Sequence, residues 1–178
     1  MNTWITGDSF ATDLSSYNFD MAIADPIYGD IKHINDTINL CLKVCSGTVC
    51  VFMSPGDVQF VRRPIDQLCH WLKPESTKNT QKRYSSFIEA IAFFHMHMKP
   101  QFHWSNRTGI FTDRLFSNEI HPWKKPDSLI ERLILNHSRG GAILDPCAGS
   151  GTVHYVCKKL GVPSVSIEID IDLVPNDC

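Results

Sequence analysis

The stretch ADPIYG, residues 24–29, is the first part of the chain whose residue types could do chemistry. A short apolar run ends at Asp25, and Pro26, Ile27 and Tyr28 follow it before a glycine. The apolar run predicts a buried strand, and ligands of open α/β sheets bind beyond the carboxyl ends of the strands. A carboxylate and an aromatic ring at such a strand end therefore indicate a binding or catalytic site.

A second segment, ILDPCAGSGT at residues 143–152, predicts a tight turn between a buried strand and a helix. Glycine lets the backbone approach a ligand, and the start of a helix presents free N–H groups. Glu168 ends the next predicted strand, 19 residues after Gly149, where a carboxylate can accept hydrogen bonds from both hydroxyls of a ribose. His154 replaces the third glycine of the dinucleotide fingerprint, and the absence of Gly-Lys-Ser/Thr excludes a phosphate-binding loop. The two features predict a cofactor that contains a nucleoside, and the alternative is a structural turn beside an exposed acid.

Three segments, DPIYG, HPWKKPDSLIERLI and ILDPCAGSGT…VSIEID, together resemble the DNA amino-methyltransferases that modify adenine N6 or cytosine N4. The resemblance is to the class in which the catalytic motif precedes the cofactor motif. That family has Asp-Pro-Pro-Tyr, then His-Pro-x-x-Lys-Pro before a helix, then Asp-Pro-x-x-Gly-x-Gly-Thr and a strand that ends in Ile-Glu. Ile27 replaces the second proline of the first motif here, and residues 71–74 together with Glu89 resemble the family's Trp-x-Lys-Pro segment.

The resemblance implies methyl transfer from S-adenosylmethionine to the amino group of a base. Asp25, through its side chain, and Pro26, through its main-chain carbonyl, would accept the two amino hydrogens and turn the nitrogen lone pair toward the methyl donor. A base inside a duplex is out of reach, so it would be flipped out and stacked on Tyr28. The implied catalytic residues are therefore Asp25, Pro26 and Tyr28, and the structural alternatives are a turn cap for Asp25 and a core position for Tyr28.

The cofactor site that the resemblance implies draws on both ends of the chain. Asp8 matches the position that meets the adenine of S-adenosylmethionine, and an Asx-type turn is the alternative for this residue. His121-Pro122 and Lys125-Pro126 match the segment that borders the methionine end of the cofactor. The implied cofactor-binding residues are Asp8, Lys125, Asp145, Pro146, Ala148, Gly149, Ser150, Gly151, Thr152 and Glu168.

Charge is distributed unevenly along the chain. The net charge at pH 7 is −2, but residues 62–139 carry +6 and the remainder carries −8. A basic middle that is rich in aromatic residues indicates a face that binds a polyanion, and a solvated surface is the alternative. Members of the resembled family usually carry a substantial target-recognition insert before the His-Pro segment, and here only about residues 98–120 are available for it. The resemblance therefore implies short or relaxed sequence specificity with contacts mainly to phosphate, and a homodimer would enlarge the DNA-binding surface. The predicted DNA-binding residues are Lys78, Lys82, Arg83, Arg107 and Arg114.

Length and composition predict a single domain over residues 1–178, with a short loop-rich segment at 98–120 in place of a full target-recognition domain. The alternation of strands and helices predicts a mostly parallel sheet with helices on both faces, and the resemblance makes this a Rossmann-like methyltransferase fold in circularly permuted order. Residues 86–94 fit a helix or a strand. The predicted strands are residues 4–6, 19–24, 48–53, 142–144 and 164–169, and the predicted helices are residues 34–44, closed by Gly47, then 57–71, 126–136 and 152–160.

Composition argues against several other classes of protein. No apolar run approaches the length of a membrane span, and the first residues lack the features of a signal peptide, so we expect a cytoplasmic protein. The seven cysteines form no paired CxxC motif, which argues against a disulfide framework and a zinc site. The histidines at positions 95, 97 and 103 have no convincing set of further ligands, so no metal is predicted.

Adenine N6 is the expected target, because a motif that begins with Asp resembles the adenine branch more than the cytosine branch, whose motif begins with Ser. Cytosine N4, RNA or a protein amide is the alternative substrate on the same fold. A different class of function is an inactive subunit that binds the cofactor and DNA in the service of a partner enzyme.

Overall fold

The computed structural model describes residues 1–73, 87–94, 108–114 and 124–173. The strands are β1 Asn2–Thr6, β2 Phe19–Ala24, β3 Cys45–Met53, β4 Gln67–Leu72, β5 Ile88–Phe94, β6 Ile110–Phe111, β7 Ala142–Asp145 and β8 Ser164–Glu168. The helices are α1 Ile31–Val44, α2 Asp127–His137 and α3 Thr152–Leu160, and single 3-10 turns lie at Val58–Phe60 and Ile171–Leu173. The described strands form one sheet in the order β1-β8-β7-β2-β3-β5-β4-β6.

Most neighbouring strands in this sheet run parallel. Only β5 is antiparallel to its neighbours, β3 and β4, whereas the other described pairs are parallel. β1 near the start of the chain pairs with β8 near its end, from Asn2 beside Ser164 to Thr6 beside Glu168. The predicted mostly parallel sheet is therefore confirmed, and the circularly permuted order stays a prediction.

Helices cover both faces of the sheet, and strand β2 contributes to the core on each face. Ala22 and Ala24 pack in the cluster that contains α1, whereas Met21 and Ile23 pack in the cluster that contains α2 and α3. Alternate residues of a strand point to opposite faces, so a strand that is buried on both faces is apolar throughout. This burial fixes the end of β2, where the predicted catalytic motif begins.

The predicted helix at residues 57–71 is wrong. This segment forms a single 3-10 turn, an extended stretch and then strand β4. Pro64 has no N–H for a helical hydrogen bond, and it restricts the residue before it to extended backbone, so a helix cannot continue here. In β4 Cys69 and Trp71 are buried while Leu68 is 39% exposed, which is the alternation of a strand at the margin of the core.

The predicted helix at residues 34–44 is confirmed, but its ends differ. Asp30 caps the helix, because its carboxylate accepts a hydrogen bond of 2.9 Å from the His33 N–H. The helix ends at Val44 and not at Gly47, since Cys45 already has extended backbone and begins β3. The helix therefore runs directly into the strand without a glycine turn.

The sequence pattern does not define the secondary structure of two segments. Residues 86–94, which fit a helix or a strand, contain strand β5. The predicted loop at residues 98–120 contains the short strand β6, and most of its other residues lie outside the described part of the chain. The single-domain organisation stays a prediction.

Membrane-spanning helices and metal-binding clusters are both absent from the described residues. Within these ranges no helix is both long enough and apolar enough to cross a bilayer. The same ranges contain no group of three or more His, Cys, Asp or Glu side chains arranged to hold a metal ion.

Candidate active site

Parallel strands bring the predicted site residues to one edge of the sheet. β2 ends just before Asp25, β7 ends at Asp145 and β8 ends at Glu168. These strands are parallel neighbours in the order β8-β7-β2, so their carboxyl ends meet at the same edge. Carboxylates from distant parts of the sequence therefore surround one site.

The glycine turn between β7 and α3 is held against the end of β8. The Gly149 N–H donates a hydrogen bond of 2.6 Å to Glu168 Oε2, and the Ala148 N–H donates one of 2.9 Å to the Ile167 carbonyl. Gly149 and Gly151 have φ angles of +52° and +79°, which glycine adopts without the strain of a Cβ atom. α3 begins directly after Gly151, so the first N–H groups of that helix face the turn.

The two acids predicted to meet the nucleoside, Asp8 and Glu168, lie at the ends of the neighbouring strands β1 and β8. The Gly7 N–H donates a hydrogen bond of 2.8 Å to the Glu168 carbonyl, which ties the end of β1 to the end of β8. Asp8 is exposed, and its Oδ1 accepts a hydrogen bond of 2.8 Å from the Phe10 N–H, as in an Asx-type turn. Both acids are thus at the expected edge, and their roles toward a nucleoside stay predictions.

A cavity of about 170 Å³ lies between the glycine turn and the end of β2. Its wall combines predicted cofactor residues with the predicted catalytic carboxylate. The lining residues are Ile23, Asp25, Phe52, Lys124, Lys125, Ile130, Asp145, Cys147, Ala148, Gly149, Ser150, Thr152 and Val153. Four of the predicted cofactor residues do not line the cavity: Asp8, Pro146, Gly151 and Glu168. Gly151 and Glu168 nevertheless shape the glycine turn that forms part of its wall.

Asp145 is the buried acid of this cavity. Burial raises the pKa of its carboxyl to about 8, although the Cys147 N–H donates a hydrogen bond of 3.2 Å to its Oδ1. A nucleoside cofactor with a cationic amino-acid portion would bind to three kinds of group that are present here. They are free backbone N–H groups, a glycine turn and acids at neighbouring strand ends. The residues present therefore fit S-adenosylmethionine.

A network of four charged side chains and one tyrosine surrounds the end of β2. The Lys125 ammonium pairs with Asp25 Oδ2, and its Nζ lies 3.3 Å from Glu89 Oε2. The Tyr28 hydroxyl donates a hydrogen bond of 2.7 Å to the same Glu89 Oε2. The Lys73 Nζ donates one of 2.5 Å to Glu89 Oε1. Glu89 thus contacts three members of the network.

Burial and charge oppose each other in this network. Burial raises the pKa of Asp25, and the Lys125 charge offsets this only in part. Burial alone would raise the pKa of Glu89, but Lys125, Lys73 and the Tyr28 hydroxyl lower it on balance. Burial alone would lower the pKa of Lys125, but the two carboxylates raise it. Lys125 and Glu89 therefore form a charged pair, although each side chain is only 9% exposed.

The two oxygens of the Asp25 carboxylate differ in their surroundings. Oδ2 is held by Lys125, whereas Oδ1 is buried and has no hydrogen-bond partner among the described residues. A buried acceptor without a donor costs free energy, which a ligand that supplies a donor would recover. Asp25 Oδ1 is therefore an unsatisfied acceptor on a residue that lines the cavity.

The loop that follows β2 is anchored by hydrogen bonds to two carboxylates. The Gly29 N–H donates one of 3.0 Å to Asp57 Oδ2, and Asp57, which follows β3, is 9% exposed. The Tyr28 hydroxyl supplies the second bond, to Glu89. Ile27, which replaces the family's second proline, is 69% exposed. Hydrogen bonds to distant strands therefore hold a loop that lacks one of its usual rigid residues.

Glu89, Lys73 and Asp57 belong to the site, and sequence reasoning did not assign them to it. β5 is antiparallel to β3, so its first residues lie at the edge where the parallel strands end. A search restricted to the carboxyl ends of strands therefore misses Glu89. The available signal was a single carboxylate in the otherwise apolar run at residues 88–94.

Of the predicted DNA-binding residues, only Arg114 lies in the described part of the chain, and it is exposed. The residue before it, Asp113, pairs through its carboxylate with Arg132 on α2, and its carbonyl accepts a hydrogen bond of 2.9 Å from Trp71 Nε1. The predicted residues that lie outside the described ranges are Lys78, Lys82, Arg83 and Arg107, together with His121 and Pro122.

Known methyltransferases resemble this chain in sequence. A family model described as DNA methylase, of the N6/N4 class, matches residues 97–175. The type II methyltransferase M.HpaI of Haemophilus parainfluenzae is 25% identical over an alignment that covers 91% of this chain and 68% of that protein. The type II methyltransferase M2.DpnII of Streptococcus pneumoniae is 45% identical over 51 residues, which are 28% of this chain and 19% of that protein.

Solved structures resemble the whole described fold. The crystal structure of an M1.HpyAVI–SAM complex has a TM-score of 0.80 at 21% identity and covers 97% of this chain and 96% of that chain. The cytosine-N4-specific PvuII DNA methyltransferase has a TM-score of 0.77 at 15% identity, with coverage of 99% and 89%. Identities this low show the fold alone, which is the predicted Rossmann-like methyltransferase fold.

The fold is that of the Rossmann-like methyltransferases, and the sequence similarities are to DNA methyltransferases. The family match over residues 97–175 and the similarity to M.HpaI support an amino-methyltransferase of the N6/N4 type. These similarities, which include a structure in complex with SAM, indicate S-adenosylmethionine as the cofactor, as the glycine turn and Glu168 predict.

Proposed function

We propose that this protein transfers a methyl group from S-adenosylmethionine to the exocyclic amino group of a flipped-out DNA base, with adenine N6 as the target. The observation that carries the proposal is the shared cavity, whose wall contains both Asp25 and the turn at Gly149. Asp25 Oδ1 has no hydrogen-bond partner in the described part of the chain. An unsatisfied acceptor on a residue beside the cofactor turn suits amino methylation, which needs an acceptor for an amino hydrogen near the methyl donor.

The chemistry of the site follows from the weakness of the nucleophile. The amino group of adenine or cytosine is a poor nucleophile because its lone pair is delocalised into the ring. Asp25 Oδ1 and the main-chain carbonyl of Pro26 would accept its two hydrogens and so direct the lone pair away from the ring. S-adenosylmethionine, when bound, supplies a methyl group on a positively charged sulfur. Transfer would form a nitrogen–methyl bond as the sulfur–methyl bond breaks, and the Asp25 carboxylate would take the proton that the nitrogen loses, so positioning would do most of the work.

Tyr28 is the proposed stacking surface for the flipped-out base. Its ring is half-buried beside Asp25, and its hydroxyl is fixed by Glu89. Stacking of a base on an aromatic side chain contributes about 1–3 kcal/mol. That contribution offsets part of the cost of removing the base from the duplex.

The cofactor residues keep the roles that their motifs imply. The backbone of the turn and the start of α3, with Asp145, would hold the methionine end, Glu168 would accept hydrogen bonds from the ribose and Asp8 would meet the adenine. Glu168 and Asp8 lie at adjacent strand ends, which suits neighbouring parts of one nucleoside. Lys125 borders the same cavity and pairs with Asp25, so it contacts both halves of the site.

Recognition of DNA is proposed to be short or relaxed in sequence. Arg114 is exposed and lies next to Asp113, whose pairing with Arg132 fixes its backbone near α2. Phosphate contacts of this kind position a protein without reading sequence. A homodimer would enlarge the basic surface.

Methyl transfer to unmethylated DNA tests the proposal. Tritiated S-adenosylmethionine is incubated with DNA, the DNA is digested, and the nucleosides are separated. Label in N6-methyldeoxyadenosine is expected, whereas label in N4-methyldeoxycytidine would move the target to cytosine, the specificity stated for the PvuII enzyme. Absence of label in DNA under conditions where DNA is bound would overturn the enzymatic proposal in favour of an inactive DNA-binding subunit. Parallel reactions with RNA test whether RNA is the substrate.

A further inference from the structure

We infer that Glu89 is a positioning residue that anchors both parts of the catalytic motif, the Asp25 carboxylate through Lys125 and the Tyr28 ring directly. The inference rests on the proposed function, because it concerns the same site. Glu89 comes from β5, the strand that runs antiparallel to its neighbours, and it is 7% exposed. A carboxylate that is buried here needs partners, and its partners are the Tyr28 hydroxyl and two lysines, Lys125 and Lys73.

The first connection runs from Glu89 through Lys125 to Asp25. The Lys125 ammonium lies between two carboxylates, 3.3 Å from Glu89 Oε2 and in contact with Asp25 Oδ2. Because both carboxylates attract the ammonium, its position depends on both. Lys125 then holds Oδ2 and leaves the buried Oδ1 without a hydrogen-bond partner among the described residues, so that Oδ1 can accept from the base. Without the Glu89 charge the ammonium would be attracted to Asp25 alone and would compete with the amino group of the base.

The second connection runs directly from Glu89 to Tyr28. The same oxygen that attracts Lys125 accepts the hydrogen bond of 2.7 Å from the Tyr28 hydroxyl. Lys125 Nζ also lies 5.5 Å from the centroid of the Tyr28 ring. One carboxylate oxygen therefore fixes the direction of the ring and the position of the cation beside it.

Lys73 fixes the Glu89 carboxylate itself. Its Nζ donates a hydrogen bond of 2.5 Å to Oε1, the oxygen that neither Lys125 nor Tyr28 contacts. Both oxygens of Glu89 are then engaged, so the carboxylate cannot rotate without breaking a charged hydrogen bond. The described network also balances two carboxylates against two ammonium groups, which limits the cost of its burial.

Glu89→Gln is the variant that tests the inference. Glutamine keeps the shape and a carbonyl that can accept from Tyr28, but it removes the charge that attracts Lys125. We expect the maximal rate of methyl transfer to DNA to fall about tenfold or more, while the dissociation constant of S-adenosylmethionine changes by less than about threefold. The Glu89 charge raises the pKa of Asp25. Its removal should therefore shift the acid limb of the pH–rate profile to lower pH, which loss of a purely structural residue would not do.

Two further variants control the experiment. Glu131→Gln makes the same chemical change at the Glu131–Lys159 pair, 3.0 Å apart on α2 and α3, and should leave the rate and the pH profile unchanged. Glu89→Gln combined with Lys73→Met restores the charge balance of the network. If the single variant does not fold, the double variant should fold and show the same loss of rate and the same shift of the acid limb.

The outcomes separate this inference from the proposed function. Transfer by the wild type together with an unchanged rate and an unchanged acid limb in Glu89→Gln would overturn the role of Glu89. Absence of transfer by the wild type would overturn the proposed function. The inference about Glu89 is then decided by carboxyl ¹³C NMR of protein that contains labelled aspartate. The Asp25→Ala variant identifies the resonance of Asp25. A titration of Asp25 that moves to lower pH in Glu89→Gln supports the connection through Lys125, and an unmoved titration overturns it.

Discussion

The hydroxyl of Tyr28 donates a hydrogen bond of 2.7 Å to Glu89, which stands 61 positions further along the chain on the strand that runs against its neighbours. Burial and the nearby carboxylates raise the pKa of Tyr28, so the hydroxyl keeps its proton and remains a donor. The bond joins the loop after β2 to the β5 side of the sheet. The predicted catalytic motif is thus fixed by tertiary contacts as well as by its own strand.

Tyr28→Phe separates the hydroxyl from the ring. A hydrogen bond to a charged acceptor contributes about 1.5–3 kcal/mol, so its loss should lower the transfer rate about tenfold or more if the ring position matters for catalysis. Tyr28→Ala also removes the stacking surface and should raise the KM for DNA in addition. The measurement is steady-state transfer to DNA for both variants. Equal kinetics for Tyr28→Phe and wild type would show that the bond to Glu89 is dispensable.

Lys125→Met removes the cation between two buried carboxylates. An uncompensated buried charge costs about 3 kcal/mol or more, and the pKa values of Asp25 and Glu89 should both rise because Lys125 lowers each of them. Protonation then relieves the repulsion, so the loss of unfolding free energy should be larger at pH 8 than at pH 5. Urea denaturation at both pH values measures it. A loss that does not depend on pH would contradict the ion-pair account.

Asp145→Asn tests the buried acid of the cavity. The folded carboxyl has a pKa of about 8 against an ordinary value of 3.8, so the folded state holds a proton that the unfolded state has lost. The contribution of Asp145 to stability is therefore present below pH 3.8 and is lost as the pH rises to about 8. Between pH 5 and pH 8 the wild type should lose more unfolding free energy than Asp145→Asn, which has no such proton. Parallel losses in urea denaturation would rule out the raised pKa.

Local signals in the sequence were sufficient to locate the acids at the ends of parallel strands. Asp25, Asp145 and Glu168 each follow or end an apolar run, and the glycine turn marks the start of α3. A strand buried on both faces is apolar along its length, so its end is visible in the sequence. The parallel neighbours β8, β7 and β2 then bring these ends to one edge.

Residues whose position depends on pairing between distant segments could not be found in this way. Glu89 reaches the site because β5 is antiparallel, and the direction of a strand is not encoded in its own pattern. Asp57 lies where the sequence predicts the start of a helix, whereas it accepts the Gly29 N–H and the helix is absent. These two carboxylates hold the loop in which Ile27 replaces the family's second proline. The contacts of Glu89 and Asp57 thus hold the same loop in which Ile27 departs from the motif.

The most direct test of the account compares wild type with Asp25→Ala in the transfer of tritiated methyl from S-adenosylmethionine to unmethylated DNA. Asp36→Ala is the matched control, because it removes an aspartate that pairs with Lys32 at 2.7 Å on the exposed side of α1. Cofactor binding is measured by calorimetry on the same samples. The account predicts that wild type and Asp36→Ala label DNA, and that Asp25→Ala binds the cofactor normally but labels none. Equal labelling by Asp25→Ala and wild type would contradict it.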